Sequence, residues 1–149
     1  MAMDKTMNSK YSVTMAQKIE LWNLERLLPY EKNAREHSTE QIAQIAASIV
    51  EFCFLNPILV DSNDGIVAGH GRLSAARELA LDVVPVVVLD HLTEAQKKAY
   101  ILVDNKLAEN ASWNEELLQE EGHIICYQKR LCICCEYGYA RPNGMRSPS

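Results

Sequence analysis

Apolar residues at Ile42, Ile45, Ala46, Ile49 and Val50 recur every three or four positions, the repeat of a helix with one buried stripe. Ser38 precedes that run with Gln41 three residues on, a capping box in which hydroxyl and amide satisfy each other's free backbone donors. Upstream, KIELW (18–22) alternates weakly and predicts a first strand, followed by the turn-rich connector LLPYEKNAREHS. Pro57 opens the short apolar strand PILVD, and Ser62-Asn63-Asp64-Gly65 reads as a hairpin turn whose Asp-Gly pair supplies positive φ. Residues 66–80, IVAGHGRLSAARELA, predict the returning strand, a glycine-rich loop and a helix packing through Leu73, Ala76, Leu79 and Ala80. VVPVVVL (83–89) is continuous and β-branched, as a strand buried on both faces would be.

Thr93 and Gln96 repeat the capping box ahead of a helix expected from Glu94 to about Asn110, with Ala95, Ala99, Leu102, Val103 and Leu107 inward. Trp113 to Leu118 reads as a further short helix. There is no internal repeat. The organisation expected is a flexible lead-in over residues 1–16, one folded domain over 17–118 and an atypical cysteine-rich tail over 119–149, read as disordered or frame-shifted.

The composition, 48% apolar and 23% charged in 149 residues, is that of one globular domain with a core of its own. No run reaches the roughly 18 apolar residues of a membrane span, and MAMDKTMNSKYSV lacks a secretory apolar stretch, so a cytoplasmic, membrane-free protein is expected. Lys129, Arg130, Arg141 and Arg146 against Glu136 put the segment from Gly122 onward at +3, leaving −8 of the net −5 on the rest. A body that acidic does not grip a DNA backbone by charge alone. Cys126, Cys132, Cys134 and Cys135 crowd the tail beside His123, but their spacing lacks paired zinc knuckles, and no zinc is expected. A shifted reading frame is the simpler account of that tail. Cys53, between Phe52 and Phe54, is expected to be packed.

The chemistry gathers at Gly69-His70-Gly71-Arg72. The glycines permit a sharp turn and close approach of a ligand, the following helix directs free N–H groups and its positive dipole end at the loop, and Arg72 adds a guanidinium fork. This is an anion site at a helix N-terminus, or, on the plainer reading, only a strand-to-helix turn.

Ser48-Ile49, Asn56-Pro57-Ile58, Gly69-His70-Gly71-Arg72 and Val84-Pro85-Val86 stand in the order found in the ParB N-terminal domain, and residues 18 to about 118 resemble that family. The resemblance implies an α+β, ParB/sulfiredoxin-like domain: a small mixed sheet, a strand–glycine-loop–helix anion site and flanking helices. It implies phosphate contacts at Gly69, Gly71 and Arg72, to which the loop's own shape adds His70, with Arg35 matching an arginine kept before the first core helix. Asp104-Asn105 resembles the Glu-Asn pair that helps hold magnesium on a bound nucleoside triphosphate (CTP or ATP). His70 and Gly71 replace the family's Glu-Arg, so the box has one arginine fewer. Sulfiredoxins place a cysteine where His70 stands, so their thiol chemistry is not expected. V-A-G-H-G-R, L-D-H-L-T-E-A-Q and D-N-K-L-A-E-N-A-x-W are most similar to ParB-type domains that precede DNA methyltransferases in phages and mobile elements.

Bland alternatives accompany these expectations. His70 is a phosphate contact, a base or a polar loop residue, and with Asp104 is a candidate for catalysis. Asp104 alternatively pairs with Lys106 or Lys97, and Glu109-Asn110 could replace Asp104-Asn105. His91 is expected to stabilise a turn and His37 to be solvated. The functions implied are nucleotide or DNA-phosphate binding in DNA segregation, modification or transcription control, or else a magnesium-dependent nuclease, or a docking module of a methyltransferase system. DNA, a DNA-modifying protein or a second copy are the partners implied.

Overall fold

The computed structural model describes residues 18–33 and 35–112 continuously, together with Val13, Met15, Ala16, Asn114, Glu116 and Leu117. The short helix expected over Trp113–Leu118 lies largely, and the cysteine-rich tail wholly, outside the described residues. Elements follow in the order β1 (Glu20–Asn23), a 3₁₀ turn (Leu24–Arg26), α1 (Thr39–Phe52), β2 (Ile58–Asp61), β3 (Ile66–Ala68), α2 (His70–Glu78), β4 (Val83–Leu89) and α3 (Glu94–Asn110). This is the α+β arrangement expected, with β1 shifted two residues along from KIELW.

The four strands form one sheet in the order β1-β4-β2-β3. β4 lies at its centre, antiparallel to β1 and parallel to β2, and β2 and β3 form the predicted hairpin. Ile58 and Val60 on β2 and Val84 and Val86 on β4 point to one face, where they are fully buried with Trp22, Leu27, Ile66, Leu73 and Ala76. Burial on β4 is not uniform, since Val83 at its start is 48% exposed.

Both capping boxes are present. Gln41 and Gln96 donate backbone N–H groups to Ser38 Oγ and Thr93 Oγ1, and their side chains accept from the cap N–H groups. In the hairpin the positive φ falls on Asp64 (φ 66). Gly65 is needed for another reason, because a Cβ there would lie 3.0 Å from Asp61 Oδ2. Asp61 Oδ1 accepts from the N–H groups of Asn63 and Gly65 at 2.8 and 2.9 Å.

Several inward assignments are overturned. On α1 Ala46 is buried, but Val50 is 71% exposed. α2 ends at Glu78, and Ala80 beyond it is exposed with φ 53. On α3 the stripe Ala95, Ala99, Leu102, Val103 and Leu107 faces outward, and the buried residues are Lys97 and Ile101. α3 turns that way because Lys97 Nζ reaches Asp61 Oδ2 at 2.8 Å and also pairs with Glu94. Cys53 is exposed rather than packed, and it leaves α1 at φ 72, ψ 171, a conformation costly for any residue with a Cβ.

Candidate functional site

β3 runs into Gly69, whose φ of 108 belongs to the left-handed region, and α2 begins at the next residue, two earlier than Arg72. No side chain caps α2, so its first N–H groups are not covered by a capping side chain. The loop forms one wall of a cavity of about 580 Å³. Arg35 and His37 line it from the connector, Gln41, Gln44, Ile45 and Ser48 from α1, and Asp104 and Asn105 from α3. Residues 35, 69–72 and 104–105, far apart in sequence, are thus brought to one chamber. Glu109 is not on its wall; it pairs with Lys106 at 3.0 Å.

Arg72 folds back along the loop. Its Nη2 donates to the Pro57 carbonyl at 3.1 Å, and a Cβ on Gly69 would meet the same guanidinium at 3.1 Å. Gly69 is therefore required both by its φ and by the arginine stacked on it. Arg72 Nε is buried with no hydrogen-bond partner, an unusual expense for a cationic group. Burial pushes the Arg72 pKa down, and the nearby Asp104 carboxylate opposes that effect.

The two histidines divide differently from expectation. His70 Nε2 accepts from the Tyr30 N–H at 3.1 Å, which fixes the connector to the loop and leaves only Nδ1 for other contacts. Burial lowers the His70 pKa, with His37 adding to the effect, so the ring is neutral at neutral pH. His37, expected to be solvated, is half-buried with its ring against Gly71. Only the packing of the connector onto α2 places it there, and no local pattern announces that packing. The residues missed by sequence are thus His37 and the α1 wall of Gln41, Gln44 and Ser48. Those three lie on the α1 turns adjoining the predicted apolar stripe.

Asp104 pairs with neither Lys97 nor Lys106; its Oδ1 accepts from the Tyr100 hydroxyl at 3.4 Å. Exposed Asp104 and half-buried Asn105 offer adjacent oxygen donors on the cavity rim. Such a pair fits magnesium, which keeps several waters and takes one or two protein oxygens alongside substrate phosphates. Among the described residues no group of three or more His, Cys, Asp or Glu side chains could hold a metal by itself. No helix among them is long and apolar enough to cross a membrane.

The chain is similar to proteins of known kind. It is 53% identical over 75 residues to the ParB-like nuclease domain-containing protein YnaK of Escherichia coli K12, covering 50% of this chain and 86% of that one. It is 34% identical over 119 residues to a probable plasmid-partitioning protein ParB of Deinococcus radiodurans, covering 76% of this chain but only 39% of the relative. Among solved structures, the chromosome-partitioning protein ParB of Caulobacter crescentus complexed with CTP-gamma-S superposes with a TM-score of 0.67. That match has 23% identity over 83% of this chain and 73% of that one, a likeness of fold. The model of the ParB N-terminal domain family matches residues 6–106. With that match spanning more than half the sequence, and the strand–glycine-loop–helix cavity in place, the chain belongs to the ParB N-terminal domain family.

Proposed function

We propose that the cavity binds a nucleoside triphosphate with magnesium, and that the domain serves DNA segregation, modification or transcription control through that binding. The observation that carries this reading is the Arg72 guanidinium, buried with Nε unpartnered at the open N-terminus of α2. A phosphate oxygen would satisfy both groups at once. Arg35 would add a second cation, with Asp104 and Asn105 from α3 holding the magnesium, which would neutralise phosphate charge. CTP is the first nucleotide to try, because the Caulobacter relative was solved with a CTP analogue. DNA is the wider partner of this reading, and the acidic body implies that DNA is held through another chain, a second copy or a DNA-modifying protein.

Calorimetry with CTP, ATP and GTP in magnesium, at about 0.1 mM protein, tests the reading. Binding of at least one nucleotide is expected, weakened about tenfold or more by Arg72→Ala, as loss of a charged hydrogen bond implies. No heat with any of the three overturns it.

A second reading is favoured by the name of the 53% identical relative, a ParB-like nuclease domain protein. Magnesium at Asp104 would activate water beside a DNA phosphate held by Arg72. Plasmid nicking abolished by Asp104→Ala and by Arg72→Ala supports it, and nicking that survives both changes rejects it.

A further inference from the structure

Gly71 is the second residue of α2 and is buried, yet its missing side chain does not open space for a ligand. A Cβ there would lie 3.0 Å from both Cε1 and Nε2 of His37, and 3.0 Å from Ile45 Cδ1. The glycine makes room for an imidazole, and that imidazole lies on the cavity wall beside the phosphate loop. We propose that His37 is a ligand-contacting residue of this site, and that it gains a proton when an anion enters, so that the cavity binds phosphate groups with proton uptake. The inference rests on the reading of the cavity as a phosphate site, and adds to Arg72 and Arg35 a third, pH-controlled cation.

The surroundings leave His37 as the group able to do this. Arg35 lies on its own connector and is the charged group acting on it, His70 is near it on α2, and Arg72, Asp104 and Asn105 line the same cavity. α1 contributes Ile45, Gln41, Gln44 and Ser48 to the same wall, none of them charged. Arg72 is already cationic. His70 cannot gain a proton at Nε2 without losing the hydrogen bond from Tyr30. His37 is held neutral by burial first and by the positive charge of Arg35 second. An anion beside it opposes both effects, favouring the charged ring and adding a charged donor to the site.

The sign follows from linkage. A His37 pKa higher with anion than without makes binding tightest below the free value, and that advantage disappears as pH rises through the bound value. Sulfate is the probe, since it does not titrate in this range. NMR of the full chain follows the His37 Cε1 resonance, assigned by its absence in His37→Asn, with and without about 50 mM sulfate. An upward shift of about one pH unit is expected, equivalent to sulfate binding about tenfold tighter below the histidine transition than above it. That pH dependence disappears in His37→Asn, while the binding due to Arg72 persists. Gly71→Ala, which crowds the ring off its seat, is expected to do the same. His37→Asn, which replaces a half-buried ring without crowding a neighbour, carries the test if Gly71→Ala fails to fold.

A His37 titration unchanged by sulfate overturns the inference, as does a wild-type pH dependence equal to that of His37→Asn. The two readings separate cleanly. A sulfate-linked shift without nucleotide heat upholds His37 and removes the nucleotide, whereas nucleotide heat with an unmoved His37 resonance does the reverse.

Discussion

The two walls of the cavity are built in opposite ways. α2, nine residues long, buries Gly71, Leu73, Ala75 and Ala76 against the sheet and α1. α3, seventeen residues long, buries only Lys97 and Ile101, and shows solvent Leu102, Val103 and Leu107 at 60, 51 and 63% exposure. The half of the cavity carrying the glycine loop is thus part of the core, fixed by the same packing that holds the sheet. The half carrying Asp104 and Asn105 buries one apolar side chain, Ile101, and one ion-paired lysine. That pair ends on Asp61, the residue that also shapes the hairpin turn, so one carboxylate sets both the turn and the placement of α3.

The contrast is open to direct attack. The largest effect is expected from Leu73→Ala, a fully buried truncation in the α2 wall that should lower unfolding free energy by about 4 kcal/mol in urea titration. Lys97→Met should follow at about 3 kcal/mol, because it strands a mostly buried carboxylate. Its effect should depend on pH. Burial alone would raise the Asp61 pKa, but the hydrogen bonds from Lys97, Gly65 and Asn63 outweigh it and hold the value below 3.8. Asp61 therefore adds stability that is present above its unfolded value and disappears as pH falls through the depressed folded value. In Lys97→Met the folded pKa of Asp61 rises, so that acid-dependent contribution shrinks and the gap to wild type should narrow as pH falls, as melts from neutral pH downward would reveal. A variant destabilised equally at every pH would refute the assigned role.

Gly69→Ala is expected to cost about 2 kcal/mol, the penalty of a side chain at left-handed φ, and to weaken nucleotide or sulfate binding by displacing Arg72. The smallest effect belongs to Leu102→Ala, within about 0.5 kcal/mol in the same titration. A cost near that of Leu73→Ala would erase the distinction between the walls.

What could be read from the sequence is what local chemistry decides. Ser38 with Gln41 and Thr93 with Gln96 mark helix starts within a few residues, and the Asp64-Gly65 turn marks the hairpin. The glycine loop and Arg72 were legible for the same reason. The face of α3 was not, because its exposed side is apolar and its buried side carries a lysine. Helical periodicity reports where apolar residues cluster, and here an ion pair with Asp61, 36 positions away, decided the orientation. His37 escaped for a related reason, since the fold of a connector around Gly71 leaves no repeat in the sequence. For His70 the sequence leaves phosphate contact, base and polar loop residue open, and a backbone N–H from 40 residues upstream claims its Nε2.

The parallel pairing of β2 with β4 has a consequence for how the site comes into being. The glycine loop and α2 lie inside the crossover that joins those two strands. Pairing β2 with β4 closes a long chain loop that contains Arg72, and it seats in the sheet the head of β2, next to the Pro57 carbonyl that Arg72 reaches. The anion binding proposed above is then expected to be lost in a fragment ending before Leu89. On refolding, the proposed binding is expected to return together with the sheet.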